Sequence, residues 1–170
     1  LLTIFRAKLS ARYGVLMSTV KYPESVSFYK KSAELQVKLK KPETDADGRI
    51  IKGKEGCMFF EAARAIPGDP DGRIDWPSKI IMKIGVNDIG QLVAFLSGRA
   101  DSCKLFHKNA SGASSTLELS AGEKGSVGVR IGKKLGENQQ VSSAQLYLSG
   151  PDSIILEELL KASLPIVLGY

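Results

Sequence analysis

Histidine, tryptophan and cysteine are nearly absent from this chain: one, one and two respectively among 170 residues. A Ser–His–acid or Cys–His nucleophile needs a histidine held by a partner group. His107 stands alone in an alternating, strand-like run, where a surface or hydrogen-bonded histidine is the plain reading. There is no HExxH and no second histidine, so the usual zinc spacings are excluded. Cys57 and Cys103 lie in separate apolar runs without a CxxC; two reduced core thiols or one disulfide would each fit. No apolar run approaches the ~20 residues that a membrane span requires. The glycine-rich stretch Gly122–Gly136 fails as a phosphate loop, because Gly128 lies too near Gly132-Lys133 and Lys134 stands where Ser or Thr would bind magnesium. Glu157 and Glu158 are helix neighbours that point in different directions, and so form no acid/base pair. The expectation is a protein with no catalytic residue, metal, cofactor or membrane segment.

Acidic charge is scarce in one place only. Leu1–Lys41 carries Arg6, Lys8, Arg12, Lys21, Lys30, Lys31, Lys38, Lys40 and Lys41 against Glu24 and Glu34, whereas the rest of the chain is close to neutral. The formal net charge of +6 is therefore N-terminal in origin. An excess of this sign favours anionic partners. Residues 1–25 read as a basic arm or as the remnant of an organellar transit segment, since Leu1–Tyr22 mixes Arg, Lys, Ser and Leu with no acid. A content of 43% hydrophobic and 25% charged residues is that of a folded domain, expected over residues 26–170.

The order of elements follows from periodicity. Val26–Lys41 alternates, with Ala33, Leu35, Val37 and Leu39 on one face and Lys30, Ser32, Glu34, Gln36, Lys38 and Lys40 on the other, so it reads as one half-wet strand. Pro42–Gly48 is a turn, Arg49–Lys52 a short strand and Cys57–Arg64 a buried one. Arg73–Ile84 follows as a strand with Pro77 at a kink or sheet edge. A helix begins at an Asn87 or Asp88 cap, buries Ile89, Leu92, Val93 and Leu96, and ends at Ser97-Gly98. Four more strands are expected over Ser102–Lys108, Ser115–Ala121, Ser126–Ile131 and Gln139–Leu148, with Gly132–Asn138 a basic turn. The last helix runs from Pro151 to Leu164, capped by Ser149 and stopped by Pro165. The class is α+β: four strands and a helix, twice, with hairpin-linked antiparallel sheets packed on two helices.

What remains is a basic surface. Its members are Lys30, Lys31, Lys38 and Lys40, Lys52 in a turn, Arg64 at a strand end, Lys79 and Lys83, Lys104, Arg130, and Lys133-Lys134. Such groups neutralise phosphates without reading sequence. Tyr29, Phe106 and Tyr147 can stack bases or serve as core and edge residues. Trp76 reads as a packing anchor.

Several phrases are more specific. Tyr29-Lys30-Lys31-Ser32-Ala33-Glu34-Leu35 resembles the YKGKAAL motif of the plant Whirly single-strand-binding proteins. Gly56–Ala65 resembles their glycine-led third strand. Ile74-Asp75-Trp76 with Lys79, and Asp88-Ile89-Gly90 followed by Leu92-Val93, are similar to their YDW…K and EIGxLV. Ser102-Cys103 with Leu105-Phe106-His107 resembles SCEFFH, and the ending Leu164–Tyr170 resembles LPHLIGW. These motifs occur in order over Tyr29–Tyr170. Lys31 and Ser32 depart from the first motif and Tyr170 from the last; with the basic character, this likens the chain to the kinetoplastid mitochondrial RNA-binding proteins of the Whirly fold.

The resemblance implies two four-stranded antiparallel sheets packed crosswise, and helices at the centre of a heterotetramer built with a related, paralogous subunit. It implies a mitochondrial protein that holds guide RNA by its phosphates and promotes annealing to pre-edited mRNA in RNA editing. The alternative is an organellar single-stranded DNA-binding protein of transcription or genome maintenance. A third reading is an oligomeric scaffold whose basic face docks an acidic protein.

Overall fold

A computed structural model describes residues 25–136 and 141–170. The N-terminal segment expected as an arm or transit remnant, up to residue 24, lies outside the described residues. So does part of the expected turn at Gly132–Asn138.

Among the described residues, eight strands and two α-helices follow in order: β1 Ser25–Tyr29, β2 Ala33–Lys40, β3 Cys57–Arg64, β4 Ile80–Ile84, α1 Val86–Leu96, β5 Cys103–Lys108, β6 Ser114–Ala121, β7 Val127–Lys134, β8 Ser142–Leu148 and α2 Gly150–Val167. β1–β4 form one antiparallel sheet in chain order and β5–β8 a second. β8 touches β2, β3 and β4, and β4 touches β6, β7 and β8. β4 and β8 each thus meet three strands of the opposite sheet, as crossed sheets require. The inner faces interlock through Leu35, Phe60, Met82, Ile84, Leu117, Ile131, Leu146 and Leu148, each less than 2% exposed. Burying side chains of this size stabilises by about 1.5–3 kcal/mol each. α1 adds Ile89 and Leu92, and α2 adds Leu156 and Leu160.

The first sheet differs from the periodicity reading in its members. Val26–Lys41 is not one strand but a hairpin, turning at Lys30–Ser32, where the Lys30 N–H donates to the Ala33 carbonyl (3.0 Å). Buried Phe28 is on an even position, whereas buried Ala33, Leu35 and Val37 are on odd ones; the alternation changes phase across the turn. Arg49–Lys52 forms only the isolated bridge of Ile50 to Thr44, with Ile50 and Ile51 both exposed. Arg73–Ile84 is interrupted by a 3-10 turn at Trp76–Ser78, because Pro77 has no N–H for the ladder. Ile74 bridges Ala65 before the turn, and β4 pairs with β3 after it.

Three element ends also shift. α1 is capped by extended Gly85, not by Asn87 or Asp88; Asp88 sits at the third helical position, and its Oδ2 accepts the Gly85 N–H (2.8 Å). β7 continues past Ile131 to Lys134, so both lysines of that pair lie on a strand. α2 runs through Pro165 to Val167. A Cβ at Gly56 would lie 2.7 Å from the Val167 Cα, so the last helical turn rests on bare backbone there. Burial of Val167 at 2% exposure carries the helix past the proline.

Candidate nucleic-acid interface

The register arranges the outer face of the first sheet in rows. Tyr29 stands opposite Glu34, which stands opposite Ala63. The next row is Ser27, Gln36, Glu61 and Ile81; the next is Ser25, Lys38, Phe59 and Lys83. Lys40 pairs with Cys57 at the far end. This face is open at Tyr29 (70% exposed) and Ile81 (43%).

A buried carboxylate organises its centre. Lys38 Nζ and Lys79 Nζ reach the same oxygen, Glu61 Oε2, at 2.9 and 2.8 Å. Burial pushes the Glu61 carboxyl up, but hydrogen bonds from Lys79 and Lys38, with the attraction of their charges, outweigh it and hold the carboxyl below its ordinary range. Two ammonium groups on one carboxylate leave a net positive charge held in fixed geometry. Lys79 also lies over the Trp76 ring, 5.9 Å from its centroid. The Trp76 indole N–H donates to Glu34 Oε2 (3.1 Å), which satisfies a carboxylate only 3% exposed. Lys83 is exposed and makes no salt bridge among the described residues, while Lys40 makes a loose one to Glu43 at 3.4 Å.

The second sheet has its own outer face. Lys104 pairs with Glu118 at 2.6 Å, and its hydrogen bond is the chief reason the Glu118 carboxyl lies below its usual range. Arg130, exposed, stands opposite Glu118 and Gln145. Phe106 and Tyr147 are 59% and 60% exposed, so neither is core. His107, half-buried, contacts Asp88 at 3.2 Å and ties β5 to the start of α1.

The candidate cations therefore divide rather than converge. Lys38, Lys40, Lys79 and Lys83 share the first sheet's outer face; Lys104, Arg130 and Lys134 share the second's. Lys31, Lys52, Arg64 and Lys133 are exposed at turns and strand ends. Lys30 is the exception. Its Nζ lies 2.6 Å from Asp152 Oδ2 at the start of α2, and that oxygen also accepts from the Ser149 hydroxyl and N–H. These contacts, Lys30 first, hold the Asp152 carboxyl down at about 2. Lys30 is thus a clamp between the first hairpin and the second helix. Periodicity missed Glu61 as an organising group, although it is the lone charge inside the apolar run Cys57–Ala63. Among the described residues, no cluster of His, Cys, Asp and Glu could hold a metal ion, and no helix is long and apolar enough to cross a membrane.

The sequence model of the Whirly family, described as Whirly transcription factor, matches residues 28–127. The chain belongs to the Whirly family. Among solved structures, WHY3 from Arabidopsis thaliana is similar at a TM-score of 0.74 and 22% identity, covering 89% of this chain and 92% of that one. The plant transcriptional regulator PBF-2 is similar at 0.73 and 21%, covering 89% and 85%. A guide-RNA-binding protein complex bound to its RNA is similar at 0.54 and 9%, covering 91% and 97%. No curated protein sequence matches the chain significantly. Two four-stranded antiparallel sheets, each followed by a helix, are the Whirly fold, and the motifs in Tyr29–Leu35 and Ser102–His107 lie on its β1–β2 hairpin and β5.

Proposed function

We propose that this Whirly chain binds single-stranded DNA, as an organellar protein of transcription or genome maintenance, and has no catalytic role of its own. The observation that carries the reading is the ladder of Lys38, Lys79, Lys83 and Lys40 on an open sheet face, with two of the lysines fixed by Glu61. A flat face lined with ammonium groups holds a flexible strand by its phosphates; a stiff duplex would touch less of it. The DNA reading is favoured over RNA because similarity to the two plant structures is greater, in both TM-score and identity, than to the guide-RNA complex.

The second reading is guide-RNA binding with annealing to mRNA, in a mitochondrial heterotetramer with a paralogous subunit. The similarity to the guide-RNA complex over 91% of this chain supports it. In both readings the contacts are Lys31, Lys38, Lys40, Lys52, Arg64, Lys79, Lys83, Lys104, Arg130, Lys133 and Lys134, without Lys30. Assembly uses the outer side of α2, where Ile154 and Ile155 are 62% and 48% exposed opposite the buried stripe of Leu156, Leu160 and Val167.

The test is competition between DNA and RNA strands of one sequence across a salt series, with native mass measured in parallel. Preference for DNA and steep weakening with salt support the first reading. Preference for RNA, with faster pairing of complementary RNAs, favours the second. Weak, salt-insensitive binding to both would sink them together.

A further inference from the structure

Lys38 and Lys79 are a matched pair. Each donates from Nζ to Glu61 Oε2, at 2.9 and 2.8 Å, and their side chains are 35% and 33% exposed. One contact separates them among the described residues. The Lys79 ammonium also lies 5.9 Å from the centroid of the Trp76 ring, and Lys38 has no ring beside it.

The backbone brings that ring into place. The Asp75 N–H donates to the Arg64 carbonyl (2.8 Å) and ties the turn at Trp76–Ser78 to the end of β3. The Lys79 N–H donates to the Trp76 carbonyl (3.2 Å) and closes the turn, so the ring and the lysine share one short loop. Glu34 fixes the indole from its other edge, accepting the Nε1–H at 3.1 Å. Glu34 and Ala63 lie in the outward row of Tyr29, yet are only 3% and 2% exposed. This corner of the face is therefore covered, and the indole is the group that reaches Glu34 there.

The two partners of Lys79 hold it in different ways. A carboxylate fixes an ammonium by cancelling its charge. An aromatic face fixes it through the ring quadrupole and leaves the charge whole. A phosphate that displaces Glu61 from Lys79 finds the ammonium still seated on the ring. Lys38, once displaced, is a long side chain that must be ordered afresh.

We propose that Trp76 is a positioning residue for phosphate binding. Its ring holds the Lys79 ammonium on the first sheet's outer face without cancelling its charge, and buried Glu34 holds the ring. Trp76 acts through Lys79 and touches no phosphate itself. The proposal rests on the single-strand reading above and ranks two lysines that otherwise look alike: Lys79 is the stronger contact and Lys38 the weaker.

The test is a double-mutant cycle read by fluorescence anisotropy of an oligothymidylate across a salt series. Lys79→Met should weaken binding about two- to fivefold more than Lys38→Met, which is the cation–π share. Trp76→Leu should abolish that difference. Alone, it should weaken binding by the same two- to fivefold with the salt slope unchanged, because Lys79 keeps its charge. Trp76→Phe leaves a ring beside Lys79 and should keep most of the affinity, which separates loss of the ring from loss of fold. Weakening by Trp76→Leu that is as large with Lys79→Met as without it overturns the proposal. So does equal weakening by Lys38→Met and Lys79→Met in the otherwise wild-type chain, a comparison that leaves Trp76 untouched. Either result leaves the single-strand reading standing; a wild-type protein that binds no strand overturns both.

Discussion

Replacing Lys30 by Met and, separately, Lys83 by Met should separate a clamp from a contact. Both residues are lysines near the first sheet, and sequence alone treats them alike. Lys30 and Ser149 hold the Asp152 carboxyl at about 2, against an ordinary 3.8. A depression of that size corresponds to at most about 2.5 kcal/mol. Both side chains are about a quarter exposed, at 29% and 24%, so solvent screening reduces the Lys30 share to about 1 kcal/mol. The sign follows from the lowered acid: the stabilisation is complete above pH ~4 and disappears as pH falls through the folded value. Urea unfolding near neutral pH should show Lys30→Met less stable by about 1 kcal/mol, with the gap closing as the pH approaches 2. Lys83→Met should unfold like the wild type at either pH. In binding, the order reverses. Lys83→Met should reduce the dependence of log affinity on log salt by about 0.7, the value of one phosphate contact on a single strand, and Lys30→Met should leave it unchanged. A Lys30→Met protein of normal stability that loses as much salt dependence as Lys83→Met would refute the reasoning.

Gly56→Ala should cost about 1–3 kcal/mol in thermal or urea unfolding, because its methyl would press on the Val167 backbone; a neutral result would mean that the end of α2 yields freely. Glu61→Gln should unfold more easily by about 1–3 kcal/mol, since a buried site loses its charge-assisted bonds, yet bind a single strand more tightly by releasing Lys38 and Lys79; weaker binding would show that Glu61 matters chiefly as a positioner. Burial raises the thiol pKa of both Cys57 and Cys103, so neither should react with a disulfide reagent in the native protein, and both should react in urea; rapid native labelling would contradict their placement.

Much of the fold was legible because inner faces dominate alternation. β6 and β7 show it plainly: Leu117, Leu119, Val127, Val129 and Ile131 are buried where period two puts them. The first hairpin was misread for a physical reason. Turn residues Lys30–Ser32 are polar and of strand-compatible type, with no Gly or Pro to mark the reversal. The signal was present in another form, as the change from even apolar positions at Val26 and Phe28 to odd ones from Ala33 onward. Pro165 misled for the opposite reason. A proline lacks only its own hydrogen bond, and near a helix end that loss is smaller than the gain from burying Val167 against Gly56.

The candidate site was legible only as a list of cations. Sequence places a lysine on a face but does not say which carboxylate lies across the strand, because that partner comes from pairing register or from another element altogether. Lys38 and Lys79 lie 41 residues apart and share Glu61, and Lys30 meets Asp152 at a separation of 122 residues. The first arrangement keeps a net positive charge on an open face; the second cancels one at a seam. Net charge alone therefore overstates the phosphate-binding surface by counting clamps as contacts. Lys83 and Arg130, which make no salt bridge among the described residues, are the cations whose removal should register most in a salt titration and least in an unfolding curve.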